Sequence, residues 1–202
     1  KPQVLRAVCE GLAAQAQASR PLVVSIAAGI TAAQVERWLG GALAVVRTMP
    51  NTPALLGAGV TGLHATARVD AAGRTLAEGL LAAAGETVWI EDEAQMDAVT
   101  AVSGSGPAYV FLLAEAMIEA GIAEGLPREA ARTLALQTVL GAARMLTESH
   151  VEAGELRRRV TSPNGTTQAA LDAFEAGGFR RLVASAVHAA RVRGAELSAD
   201  ND

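Results

Sequence analysis

The chain has 202 residues, with 17 Lys and Arg against 21 Asp and Glu, for a formal net charge of −4. That length holds one domain or two modest ones, and the slightly acidic balance gives no general electrostatic case for binding nucleic acid. Half of the residues are hydrophobic, but much of that share is alanine. No run approaches the ~20 apolar residues of a spanning helix (the stretch 109–117 is interrupted by Glu115), so no membrane span is expected. Charged residues make up 19%, below the ~25% of an average domain, which argues against wholesale disorder. The single cysteine, Cys9, cannot form an internal disulfide and fits a reducing compartment. No charged-then-apolar leader stands ahead of Pro2, so a cytoplasmic location is expected.

Residues 1–92 read as alternating helix and strand. A helix over 2–17 opens with Pro2 in its first turn, where the missing N–H costs nothing. A short β-branched run at 22–26 follows, then Thr31 as N-cap of a helix stopped by Gly40 and Gly41. Residues 42–49 form a second expected strand, ending at Pro50, Asn51, Thr52 and Pro53. A third strand is expected over 59–67, a helix capped by Asp70 runs to Ala84, and a fourth strand covers 87–90. Near-continuously apolar strands separated by helices indicate a parallel-rich sheet covered on both faces.

From Glu93 onward no strand signal competes. Val110, Leu113, Ala114, Met117, Ile118 and Gly121 keep the three/four spacing of one helix face, opened by Ser105 as cap and by Pro107. Pro127 starts a helix to Thr147, shorter helices cover 152–160 and 165–176, and Phe179, Leu182, Val183, Ala186, Val187 and Ala190 mark a last one. The expected fold class is therefore α/β followed by all-α, with domains over 1–92 and 93–202.

Gly57, Gly59 and Gly62 match the spacing of a dinucleotide fingerprint, but that motif needs a helix directly after it, and here strand continues. Ser103-Gly104-Ser105-Gly106-Pro107 reads equally as a turn letting a helix pack closely and as the floor of a ligand cleft. The segment 161–167 crowds Thr161, Ser162, Thr166 and Thr167 before a helix; it is either an elaborate N-cap or a site for a carboxylate or phosphate. The run Arg157-Arg158-Arg159 ahead of it reads first as a solvated helix end. His64, His150 and His188 are scattered, so no metal site is expected. Cys9 and the serines lack a base partner, and Trp38 and Trp89 read as packing residues.

Several blocks carry a resemblance. Val24-Ser25-Ile26-Ala27-Ala28-Gly29, Arg47-Thr48-Met49-Pro50-Asn51-Thr52-Pro53-Ala54, Val102-Ser103-Gly104-Ser105-Gly106-Pro107-Ala108-Tyr109 and the run 160–171 resemble the pyrroline-5-carboxylate reductase family. So do Gln137-Thr138 with Gly141-Ala142-Ala143, and the closing Gly178-Phe179 helix with Arg193 and Glu196-Leu197. The resemblance implies that 1–92 is the C-terminal part of a Rossmann-type NAD(P)-binding domain. It implies that 93–202 is a helical dimerisation and substrate-binding domain that interlocks with a partner chain. The implied reaction is reduction of 1-pyrroline-5-carboxylate to L-proline with NADPH or NADH, the last step of proline biosynthesis.

By the same resemblance, Ser162, Asn164, Gly165, Thr166 and Thr167 hold the substrate carboxylate, with Thr167, the catalytic candidate, nearest the ring nitrogen. Lys1, Ala27, Ala28, Met49, Pro50 and Asn51 line the ribose and nicotinamide side of the cofactor. The family's glycine-rich phosphate loop would precede Lys1 by roughly two strand–helix units, on the order of 60 residues, so the chain by itself is expected to be inactive. Asn164 stands where the family has glycine, and asparagine is the next most tolerant residue in left-handed geometry. The chemistry suits such a loop, because a protonated imine is already electrophilic and needs positioning more than a strong acid. A β-hydroxyacid-dehydrogenase-like oxidoreductase shares the layout but relies on a lysine in the helix after the Gly-Ser-Gly turn, where this chain reads Tyr109-Val110-Phe111-Leu112-Leu113-Ala114-Glu115. A non-catalytic helical dimerisation module would have no need of the 161–167 loop. The expected partners are a small-molecule substrate and further copies of the chain, in a homodimer or larger assembly, without nucleic acid, membrane or metal.

Overall fold

The structure, a computed structural model, describes residues 2–199. The chain divides into two compact units, one running up to Pro107 and taking in the stretch from Ala186 onward, the other Ala108–Ser185.

The first unit contains α1 (Pro2–Ser19), β1 (Leu22–Ser25), α2 (Ala32–Trp38), β2 (Ala44–Met49), β3 (Gly59–Ala65), α3 (Ala71–Ala82) and β4 (Gly85–Trp89). The sheet order is β1-β2-β3-β4, with β1–β2 and β3–β4 parallel and β2–β3 antiparallel. Parallel pairing thus predominates, as the apolar strands indicate. The antiparallel step follows from the connection 50–58, which is shorter than the dozen or so residues a parallel crossover needs and holds only a 3-10 turn, Thr52–Leu56. Side chains alternate between faces. Val23 and Val45 join Cys9, Val35 and Trp38 on the α1/α2 side, whereas Leu22, Val24, Ala44 and Val46 join Ala77 and Leu81 of α3. Both faces are therefore covered.

The expected caps form. Thr31 accepts from the Gln34 N–H at 3.2 Å while the Gln34 side chain accepts from the Thr31 N–H at 2.8 Å, a reciprocal capping box. Asp70 accepts from the Gly73 N–H at 2.7 Å. The second strand begins two residues later than expected, because Ala42 takes a left-handed φ of 56° that no strand accommodates.

Beyond the sheet, a 3-10 turn at Glu93–Gln95 leads into α4 (Met96–Val99), a π turn at Thr100–Gly104, and α5 (Gly106–Ala123). Ser105 does not cap α5 as its sequence position suggests. Its backbone is helical at φ −86° and ψ −21°, and its N–H donates to the Thr100 carbonyl at 2.8 Å. The π turn therefore carries the helix through the glycine-rich segment instead of ending it. One consequence corrects the count of apolar runs. The joined 31-residue helix Glu93–Ala123 is long and apolar enough, by length and composition, to cross a membrane.

Arg47 holds this helical start to the sheet. It is only 5% exposed, and its guanidinium donates to Glu93 Oε1 at 3.2 Å and Asp97 Oδ1 at 3.4 Å. Glu93 Oε1 also accepts from the Ala32 N–H, at the start of α2, at 2.7 Å. On the same unit Gln34 Nε2 donates to the Ser198 carbonyl at 2.9 Å, which seats the end of the last helix.

The second unit comprises most of α5, α6 (Arg128–Glu148), α7 (Ala153–Arg159), α8 (Thr166–Ala176) and the start of α9 (Phe179–Ala199). Among its described residues only Ala114, Ala131 and Ala135 are buried. Phe111, Leu112, Leu134, Leu140, Phe174 and Leu182 are half-exposed or more. This unit buries almost no large apolar side chain of its own.

Removing Arg47 leaves two carboxylates facing each other without their shared cation. Arg47→Ala is expected to cost about 3 kcal/mol, read as a lower urea midpoint with an unchanged slope. Neutralising the pair as well, with Glu93→Gln and Asp97→Asn, should recover part of that loss.

Candidate functional site

The first group of candidates sits at the carboxyl ends of β1 and β2, where ligands of open α/β sheets bind. These strands run parallel with Ser25 opposite Arg47, so the segments that carry Ala27 and Ala28 and Met49, Pro50 and Asn51 leave from adjacent strand ends. Hydroxyls fix the point of exit. The fully buried Thr48 donates from Oγ1 to the Ser25 carbonyl at 3.0 Å, and Ser25 Oγ accepts from the Ala27 N–H at 3.4 Å. All five residues are partly exposed. Two alanines and a proline carry small side chains, the kind of lining that lets a flat ring and a sugar approach backbone, and nothing in their chemistry conflicts with a nicotinamide cofactor. Lys1, the remaining cofactor candidate, lies outside the described residues.

The Ser103–Gly104 turn packs beneath this segment. A Cβ on Gly104 would stand 2.5 Å from the Met49 terminal methyl, so the close approach read from the sequence is realised in the π turn. Gly57 precedes β3 and Gly59 and Gly62 lie within it, with strand and not a helix following, and a Cβ on Gly62 would meet Val99 at 2.6 Å. Gly59 and Gly62 serve close packing, and Gly57 closes the 3-10 turn at a left-handed φ of 68°.

The second group lies within the helical unit. The α7 C-terminus is closed by Thr161, whose N–H donates to the Arg158 carbonyl at 3.1 Å and whose hydroxyl donates to that of Arg157 at 2.6 Å. The chain then turns through Pro163 and Asn164, and the Gly165 N–H donates to the Ser162 carbonyl at 3.0 Å. Asn164 takes φ 59°, the left-handed geometry its side chain tolerates. Gly165 is the N-cap of α8, and no side chain caps that helix. The hydroxyls therefore do not serve as the N-cap that the alternative reading requires. Those of Ser162, Thr166 and Thr167 belong to the residues at a helix start whose first N–H groups carry the positive end of the dipole, whereas that of Thr161 is spent on α7. Ser162, Asn164 and Thr166 are exposed, while Gly165 and Thr167 are half-buried. Arg158 and Arg159 reach back to Glu155 at 2.6 and 2.9 Å, and these hydrogen bonds, Arg159's foremost, hold the Glu155 carboxyl below the usual carboxylate range.

The structure thus assembles each candidate group within its own unit, cofactor candidates on the sheet and substrate candidates on the helices. Reading the chain residue by residue misses Arg47, Glu93 and Asp97. The available signals were an arginine inside an apolar strand and two carboxylates four residues apart on one helix face.

Comparison with known proteins gives concordant results. The family model for pyrroline-5-carboxylate reductase dimerisation matches residues 93–197. The pyrroline-5-carboxylate reductase of Pseudomonas aeruginosa is 59% identical over 198 residues, covering 98% of this chain and 72% of that protein. The enzyme of that name from Haemophilus influenzae is 45% identical, covering 98% and 73%. Among solved structures, a pyrroline-5-carboxylate reductase from Coxiella burnetii superposes with a TM-score of 0.93 at 45% identity, over 98% of this chain and 73% of that one. The Plasmodium falciparum pyrroline carboxylate reductase with NADP bound gives 0.89 at 32% identity, over 98% and 74%.

The left-handed turn at Asn164 is testable on its own. Asn164→Gly is expected to leave the melting temperature unchanged or slightly raised, whereas Asn164→Ala should destabilise by about 1 kcal/mol in thermal unfolding.

Proposed function

The chain belongs to the pyrroline-5-carboxylate reductase family, and from that membership we propose how its residues divide the work of reducing 1-pyrroline-5-carboxylate to L-proline. The relative 59% identical over nearly the whole chain carries the assignment of the reaction. A bound NADPH or NADH supplies a hydride to the imine carbon. The electron pair of the C=N bond passes to nitrogen, and one proton from solvent completes the balance of imine, reduced cofactor and proton giving proline and oxidised cofactor.

Residues 1–92 act as the C-terminal part of the cofactor domain and 93–202 as the dimerisation and substrate domain. Ala27, Ala28, Met49, Pro50 and Asn51 line the ribose and nicotinamide, supported by their position at the parallel strand ends. The uncapped start of α8, with Gly165, Thr166 and Thr167, binds the substrate carboxylate through N–H groups, and the Ser162 and Thr166 hydroxyls add donors. Asn164 supplies the turn that aims them. Thr167, half-buried, holds its hydroxyl toward the ring nitrogen and stabilises the protonated imine by accepting from its N–H. The free Cys9 suits a reducing compartment, and the cytoplasm is where we place the reaction.

The exposed apolar faces of α5 and α6 have an owner in this reading. They fall inside the matched dimerisation region, so a second copy covers them, and they do not enter a membrane. The β-hydroxyacid-dehydrogenase and pure assembly readings are not favoured, because the relatives that cover nearly the whole chain are named as pyrroline-5-carboxylate reductases.

In the full-length enzyme, Thr167→Ala should lower kcat/KM for the imine by about 10–100-fold, with cofactor affinity unchanged. Wild-type kinetics in a folded variant would remove Thr167 from the mechanism. Leu140, 53% exposed in the isolated chain, belongs to the covered face, so Leu140→Glu should shift the sedimenting species from dimer to monomer or aggregate.

A further inference from the structure

Asn51 opens the 3-10 turn Thr52–Leu56 at φ −124° and ψ 166°, the position where an asparagine side chain usually caps the turn behind it. It makes no such bond. Its side chain spans outward instead. Oδ1 accepts from the Val60 N–H at 3.0 Å, at the start of β3, and Nδ2 donates to the Ser103 carbonyl at 3.2 Å, in the π turn. Both ends of the amide are thus engaged by backbone from segments 9 and 52 residues away in sequence. Gly104, next to Ser103, abuts the Met49 terminal methyl from below.

We infer that Asn51 is a positioning residue for hydride transfer: its side-chain amide clamps the Met49–Asn51 segment between β3 and the π turn, so that the backbone and the Met49 side chain, not the Asn51 amide, meet the nicotinamide. The inference deepens the reading that this segment lines the cofactor and rests on it. An amide tied to backbone at both ends is fixed in orientation, and its one remaining N–H and one remaining lone pair are held in that orientation too. It fixes where the segment stands, and a small misplacement of a hydride donor is costly because the reacting atoms must lie within van der Waals reach. Gly104, in the same π turn, touches the segment at a second point, through Met49.

The test uses the full-length enzyme. Asn51→Ala removes both bonds, and Asn51→Asp keeps the acceptor for Val60 but replaces the donor to Ser103 with a carboxylate oxygen. Gly104→Ala displaces only the flexible end of Met49. All three are expected to lower kcat by about 10-fold and to raise the isotope effect with nicotinamide deuterated at the transferred position, because hydride transfer becomes more rate-limiting. Proline inhibition and dimer mass should remain those of the wild type. Folded, dimeric variants with wild-type kcat and isotope effect would overturn the clamp. So would an effect in Asn51→Ala that is absent from both Asn51→Asp and Gly104→Ala, since that would mark a direct contact. Hydrogen exchange on the wild type separates the underlying reading. Protection of residues 48–52 by NADPH is expected, and its absence would show that the segment does not line the cofactor, removing the clamp's function with it.

Discussion

A single buried cation organises the sheet unit. Arg47 sits in an apolar strand at 5% exposure, where a lone charge would be prohibitive, and its tolerance there depends on Glu93 and Asp97. Because those carboxylates lie on the first helical residues after the sheet, satisfying the arginine also fixes where the long helix begins. Glu93 extends the arrangement to the first N–H of α2, and the residue after Arg47, Thr48, ties β2 to the end of β1. The segments that carry the cofactor candidates leave the sheet from these same strand ends.

The helical unit solves a different problem. Its helices are rich in alanine, which gives helix propensity and close packing but little apolar area per residue. The contact of α5 with α6 shows this, since a Cβ on Gly121 would stand 3.3 Å from that of Ala131. What alanine packing cannot supply, the large side chains on the outward faces supply to a second copy. Self-association thus completes a core that one chain only begins.

Sequence reading succeeded where the cause is local. Thr31 and Asp70 announce their helices because an oxygen side chain next to an apolar repeat has one obvious task. The glycines from Gly57 to Gly62 could be set aside as a phosphate loop because the residues after them form strand. Asn164 could be placed in left-handed geometry because the resembled family has glycine there and asparagine tolerates the same backbone. The failures are non-local. The antiparallel step depends on how short the 50–58 connection is relative to a crossover, and Ser105 looks like a cap until the i→i+5 bond to Thr100 is seen. The return of the chain's end to the sheet depends on the Gln34–Ser198 hydrogen bond, across 164 residues. As for the site, local sequence gave a hydroxyl-rich approach to a helix and nothing about its ligand. The roles of Ser162 to Thr167 came from resemblance, and the contribution of the structure is that the start of α8 is left uncapped by side chains.

A helical unit that buries only alanines has its fate written in mass action. Where folding and pairing are one event, stability belongs to the pair and scales with concentration: each tenfold dilution weakens the assembled state by about 1.4 kcal/mol. The protein is then most vulnerable when newly made and scarce, before a partner has been found. Two alleles in one cell would also share their fortunes, since a subunit with a sound surface but a damaged site still enters pairs and dilutes the activity of its intact counterpart.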